Sequence, residues 1–180
     1  MLKRESVVLL VIDFQDSLMK KIPVAEAVTR ETVRLIRFAK LLELPILWTE
    51  QYPKGLGRTI PELAKEMEGV SVIEKTAFGC MGDSGFLTSL EATGRNQVLI
   101  TGVETHVCVM QTALRAAECG YEVFVVSDAV AAREKAQHKA GLDRVKNSSC
   151  QLVTAEMAMF ELLEKAGTPE FKNCLPLLKG

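Results

Sequence analysis

Apolar residues in this chain fall into short unbroken runs, and the stretches between those runs carry helical spacing. Residues 6–12 (SVVLLVI) are almost wholly apolar and rich in β-branched side chains, the pattern of a strand covered on both faces. Residues 44–49 (LPILWT), 71–74 (SVIE), 97–101 (QVLIT), 122–127 (EVFVVS) and 150–153 read the same way. Helical spacing places Val24, Val28, Leu35, Ile36 and Ala39 on one face of a helix over residues 23–42. Further helices are predicted over residues 61–67, over 84–92 behind the cap Asp83, and over 109–118, 133–146 and 155–165. Strands without a polar face, alternating with helices, predict an α/β fold. It is a three-layer, doubly wound, mainly parallel six-stranded sheet with helices on both faces, Rossmann-like in plan. No linker or repeat divides the chain, so residues 1–180 are expected to form a single domain. The apolar positions Phe171, Leu175, Leu177 and Leu178 are expected to pack on that body or on another subunit, and a homo-oligomer is the expectation.

Composition narrows the functional classes. With 22 basic and 23 acidic residues the net charge is −1, which gives no electrostatic footprint for nucleic acid or for an anionic membrane. The apolar run over residues 6–12 is too short to span a bilayer and leads straight into Asp13 without a small-residue cleavage site. A cytoplasmic protein acting on a small-molecule substrate is expected. Five cysteines, Cys80, Cys108, Cys119, Cys150 and Cys174, show no C-x-x-C spacing, which argues against a disulfide framework or a zinc knuckle. No cofactor and no metal are expected.

Candidate chemistry lies just past the strands. Asp13 follows the first, Lys75 the third and Cys108 the fourth, and in a parallel sheet those ends share one edge, where ligands bind. A carboxylate, an ammonium and a thiol there supply a base, a cation and a nucleophile. Each also has a plainer reading, as a cap, a solvated lysine and a buried small side chain. Placement at a helix start is expected to lower the Cys108 pKa. His138 sits in the charged stretch EKAQHKAG and reads as solvent-facing, and His106 as a pocket or interface side chain. Phe14, Gln15, Trp48, Tyr52 and Phe78 lie at strand ends or in the loops after them and, with Thr105 and His106, are candidates to line an apolar slot. Ordinary packing is the alternative for each. Asp128 and Arg133 read as capping and pairing groups.

Four stretches, VIDFQ (11–15), EKTAFG (74–79), GVETHVCV (102–109) and SDAVAAR (127–133), resemble the isochorismatase-like cysteine hydrolases, and the likeness covers nearly the whole chain. VTAEMAMFELL (153–163) is further similar to the stand-alone, isochorismatase-domain-containing branch. The resemblance implies a triad of Asp13 as base, Cys108 as nucleophile and Lys75 between them. It also implies a cis peptide between Val103 and Glu104, and an oxyanion hole from the N–H groups of Glu104 and Cys108. Metal-holding relatives use an aspartate and histidines after the second strand, whereas residues 50–58 (EQYPKGLGR) contain no histidine. The implied activity is hydrolysis of a small C–N bond of amide, carbamoyl or imide type through a thioester. The alternatives are a partner-binding protein and a thiol redox sensor. Against the latter, no C-x-x-C resolving partner exists, and Cys119 lies on the same helix, three turns away.

Overall fold

A computed structural model describes residues 1–178. Six strands, β1 (Val7–Ile12), β2 (Ile46–Gln51), β3 (Val72–Lys75), β4 (Gln97–Val103), β5 (Glu122–Ala131) and β6 (Gln151–Val153), form one parallel sheet in the order β3-β2-β1-β4-β5-β6. Every residue of β1 is buried, as a central strand between two helical layers must be. Strand order reverses between β1 and β4, so a crevice opens beyond their carboxyl ends.

The helices are α1 (Asp16–Met19), α2 (Ala25–Leu41), α3 (Pro53–Leu56), α4 (Pro61–Ala64), α5 (Ser84–Ala92), α6 (Met110–Glu118), α7 (Lys135–Lys146), α8 (Ala155–Leu163) and α9 (Pro169–Leu178). Strand alternation splits the core in two. Val7, Leu9 and Val11 face a cluster with Val28, Leu35 and Ile36 of α2 and Met159 of α8, whereas Val8, Leu10 and Ile12 face Phe86 of α5, Ala113 of α6 and Val145 of α7. Each such side chain, fully buried, stabilises the fold by about 1.5–3 kcal/mol. Asp83 caps α5 by accepting from Phe86 N at 3.0 Å, and Asp128 accepts from Ala155 N, the first residue of α8, at 2.8 Å.

Two departures from the sequence reading have local causes. The helices α1 and α3 lie in stretches for which the spacing predicts no element, because four-residue helices are too short for periodicity to reveal. Both β4 and β5 run past their expected ends at 101 and 127, since Gly102 keeps β4 paired with Ile12 and then, across an irregular register, with Val130 of β5. The apolar tail is helical over α9, where Cys174 is fully buried and Arg34 of α2 reaches the carbonyl of Leu177; residues 179–180 lie outside the described part.

Candidate active site

Asp13 stands at the end of β1 with a left-handed φ of 57°, a conformation that aspartate adopts more readily than most residues. Its carboxylate is wholly buried and held at both oxygens. Thr49, on β2, donates its hydroxyl to Oδ1 at 2.7 Å, and Lys75, the last residue of β3, donates its ammonium to Oδ2 at 2.8 Å. The three donors of the ammonium are shared among four oxygens, the others being Gln51 Oε1 at 2.7 Å, Phe78 O at 3.0 Å and Ala77 O at 3.2 Å. Burial pulls the Lys75 pKa down, but its neighbours, the Asp13 carboxylate foremost, leave the ammonium above its ordinary value. Lys75 is therefore a fixed cation.

On the other side of the crevice the backbone itself is unusual. Gly102 has φ 145°, and a Cβ there would lie 2.5 Å from the carbonyl oxygen of Ile12, so only glycine lets β4 pass this close to β1. The Val103–Glu104 peptide is cis. A single π turn, Thr105–Val109, follows and carries Cys108 ahead of α6. Cys108 thus lies two residues ahead of α6 and not at the start of an α-helix, and it is buried.

That changes its electrostatics. Burial pushes the Cys108 thiol well above its ordinary value, and the charge of Asp13 adds to the rise, which Lys75 only partly offsets. The expected low-pKa thiolate is corrected to a neutral thiol with a carboxylate at hand to take its proton.

Glu104 turns its side chain back to the end of β5, accepting from Arg133 N at 3.0 Å and lying 3.5 Å from Arg133 Nη1. Thr105 is fully buried, and its hydroxyl meets His138 Nδ1 of α7 at 2.9 Å. His138 is accordingly not solvent decoration, and burial lowers its pKa. His106 is half-buried, with Nδ1 enclosed and without a partner among the described residues.

The remaining slot candidates separate. Phe14 is buried in the opposite core cluster, and Trp48 packs against that cluster while donating Nε1 to Val70 O at 3.1 Å, so both serve packing. Gln15 is buried and staples β2 and the turn after it, donating to Gln51 O at 2.9 Å and Gly57 O at 2.7 Å and accepting from Gln51 N at 2.7 Å. Tyr52 and Phe78, each more than half exposed, stand next to the residues that bind Lys75. Phe78 also borders a hollow of about 650 Å³ with Met81, Met110 and Leu114. Thr49 and Gln51 escaped the sequence reading, although both occupy the end of β2, where the strand-end rule applies.

The model of the isochorismatase domain matches residues 7–157. The chain belongs to the isochorismatase family. Isochorismatase domain-containing protein 2A of Mus musculus is 34% identical over 178 residues, covering 97% of this chain and 84% of that protein. Among solved structures, the MAR1 ribonuclease from Caenorhabditis elegans superposes with a TM-score of 0.93 at 30% identity, over 99% of this chain and 92% of the other. The YcaC gene product of Escherichia coli, described as an octameric hydrolase of unknown specificity, gives 0.87 at 27% identity, over 98% of this chain and 86% of the other. Among the described residues of this family member, no cluster of three His, Cys, Asp or Glu side chains is placed to hold a metal ion, and no helix is long and apolar enough to cross a membrane.

Proposed function

We propose that this isochorismatase-family protein is a cysteine-dependent hydrolase of small C–N substrates of amide, carbamoyl or imide type. One observation carries the reading. A neutral Cys108 thiol lies within reach of the charge of Asp13, whose carboxylate is fixed by Lys75 and Thr49 where the strand order reverses. Asp13 takes the thiol proton as the sulfur attacks the substrate carbon. The tetrahedral oxyanion turns toward the N–H groups of Glu104 and Cys108. Asp13 then gives its proton to the departing amine, and a water activated by the same carboxylate cleaves the thioester. Lys75 keeps its proton throughout and holds the base in place. An octameric relative and the exposed Tyr52 and Phe78 at the rim favour a homo-oligomeric enzyme.

The test is a screen of small amides, carbamoyl amines and imides against wild type and Cys108→Ala, with intact-protein mass spectrometry of quenched reactions. Turnover is expected to fall at least about a thousandfold in Cys108→Ala, a loss typical of removing a covalent nucleophile. An acyl adduct should map to Cys108. Turnover that persists in the folded variant would overturn the assignment.

A further inference from the structure

Cys80 sits on the core side of the triad. It is fully buried in the same cluster as Cys108, in the turn after Phe78 and Gly79, where Lys75 makes its backbone contacts. One hydroxyl joins the two cysteines. Thr112 Oγ1 accepts from Cys80 N at 2.9 Å and donates to Cys108 O at 2.7 Å, so the two backbones are two hydrogen bonds apart. Those bonds hold Cys80 N within about 6 Å of Cys108 O, and a disulfide spans Cα atoms up to roughly 7 Å apart. Around the Cys80 thiol stand the charges of Lys75 and Asp13 and the hydroxyls of Thr112 and Thr49. The same carboxylate and ammonium thus act electrostatically on both thiols.

We propose that Cys80 is a resolving thiol for Cys108, so that hydrogen peroxide converts the site into an intramolecular Cys80–Cys108 disulfide that blocks the nucleophile. The proposal rests on the reading above in taking Asp13 as the base. Cys108 keeps 5% of its surface exposed and Cys80 none, so peroxide meets Cys108 first. Asp13 accepts the Cys108 proton, the sulfur attacks one peroxide oxygen, the O–O bond breaks, and the departing hydroxide recovers the proton as water. Cys108 is then a sulfenic acid. Cys80 next gives its proton to Asp13 and attacks the Cys108 sulfur; the S–S bond forms, the S–O bond breaks, and a second water leaves. Peroxide is reduced to water, and the two thiols supply both electrons. The burial that slows both thiols also keeps other thiols from reaching the sulfenic acid, which leaves Cys80 as its nearest partner.

The experiment treats the full chain with a small excess of hydrogen peroxide and maps peptides without reduction. In wild type the expected product has lost two hydrogens, with the Cys80 and Cys108 peptides linked, and dithiothreitol restores both thiols. In Cys80→Ser, and in Cys80→Ala as a second variant, Cys108 is expected to advance to the sulfinic acid. Sulfinic acid at Cys108 in wild type without the link, or a link from Cys108 to Cys119 or Cys150, would overturn the proposal. Labelling of Cys108 by iodoacetamide in unoxidised Cys80→Ser, expected within about twofold of wild type, keeps this result separate from the hydrolase reading. That reading fails on the Cys108→Ala screen instead, whatever peroxide does.

Discussion

On the β1–β2–β3 side of the carboxyl edge, Thr49, Lys75 and Gln51 meet around Asp13 through side-chain hydrogen bonds of 2.7 and 2.8 Å. On the β4 side, Cys108 is placed by a glycine with φ 145°, a cis peptide and a π turn, all of them features of the backbone. The first side holds ionised groups, each matched to a partner, at the cost of their desolvation. Neutrality marks the second, where the thiol is kept protonated by burial and by the carboxylate across the crevice. Charge is therefore stored where side chains can pin it. The reactive atom is stored where the main chain can aim it.

The largest effect should come from breaking the charged side. Lys75→Met keeps most of the stem but leaves the Asp13 carboxylate buried without its cation, a defect that costs about 3–5 kcal/mol. Urea denaturation near neutral pH measures it. The double variant Asp13→Leu, Lys75→Met should recover more than half of the loss, because a buried pair replaced by apolar groups is often close to neutral. A loss below about 1 kcal/mol in Lys75→Met would show that the pair is not as isolated from water as its burial implies.

A smaller effect sharpens the neutral side. Burial pushes the Cys80 thiol up from 9.0 to about 11, so below pH 9 it is protonated whether the chain is folded or not and its contribution is fully present. Between pH 9 and 11 the unfolded chain releases the proton and the folded one retains it, so stability falls as pH rises, by about 2–3 kcal/mol for this group. Lys75, also raised, adds a loss of the same sign at higher pH, and comparison with Cys80→Ser isolates the part of the pH dependence that requires Cys80. Urea midpoints at pH 8.5 and 11 should therefore diverge by about 2 kcal/mol less in Cys80→Ser than in wild type. Equal divergence in the two proteins would mean that Cys80 is hydrated in the native state.

The two sides also differ in what the sequence discloses. Asp13 and Lys75 were legible because a polar residue ending an apolar run is conspicuous, and a parallel sheet brings such ends together. Cys108 was legible in position but not in electrostatics, since the shift from a helix start to a buried π turn leaves no periodicity to read. The partnership of Thr105 with His138, and of Cys80 with Cys108 through Thr112, depends on how α6 and α7 pack on the strand ends. Contacts made between residues this far apart in the chain have no local signature. Trp48 and Phe14 show the converse, because an aromatic at a strand end points to a site or to the core according to strand register, and here they pack on the core.

The smallest effect tests whether α7 buttresses the nucleophile from behind. Gly141 lies in that helix, where alanine in place of glycine ordinarily stabilises by about 0.5–1 kcal/mol. Here a Cβ would stand 2.9 Å from His106 Cα, 3.0 Å from His106 N and 3.1 Å from Thr105 C. Those are main-chain atoms of the π turn and cannot rotate away as a side chain would. Either α7 or the turn must shift, and overpacking of this kind costs about 1–3 kcal/mol, enough to reverse the usual gain. Gly141→Ala is expected to lose about 1 kcal/mol in urea denaturation and to slow iodoacetamide labelling of Cys108 several-fold, because the displaced turn carries the thiol relative to a base that stays in place. A gain of about 0.5–1 kcal/mol with unchanged labelling would mean that α7 yields freely and that residues 102–109 hold their geometry without it. The neutral side would then be as self-contained as the charged one.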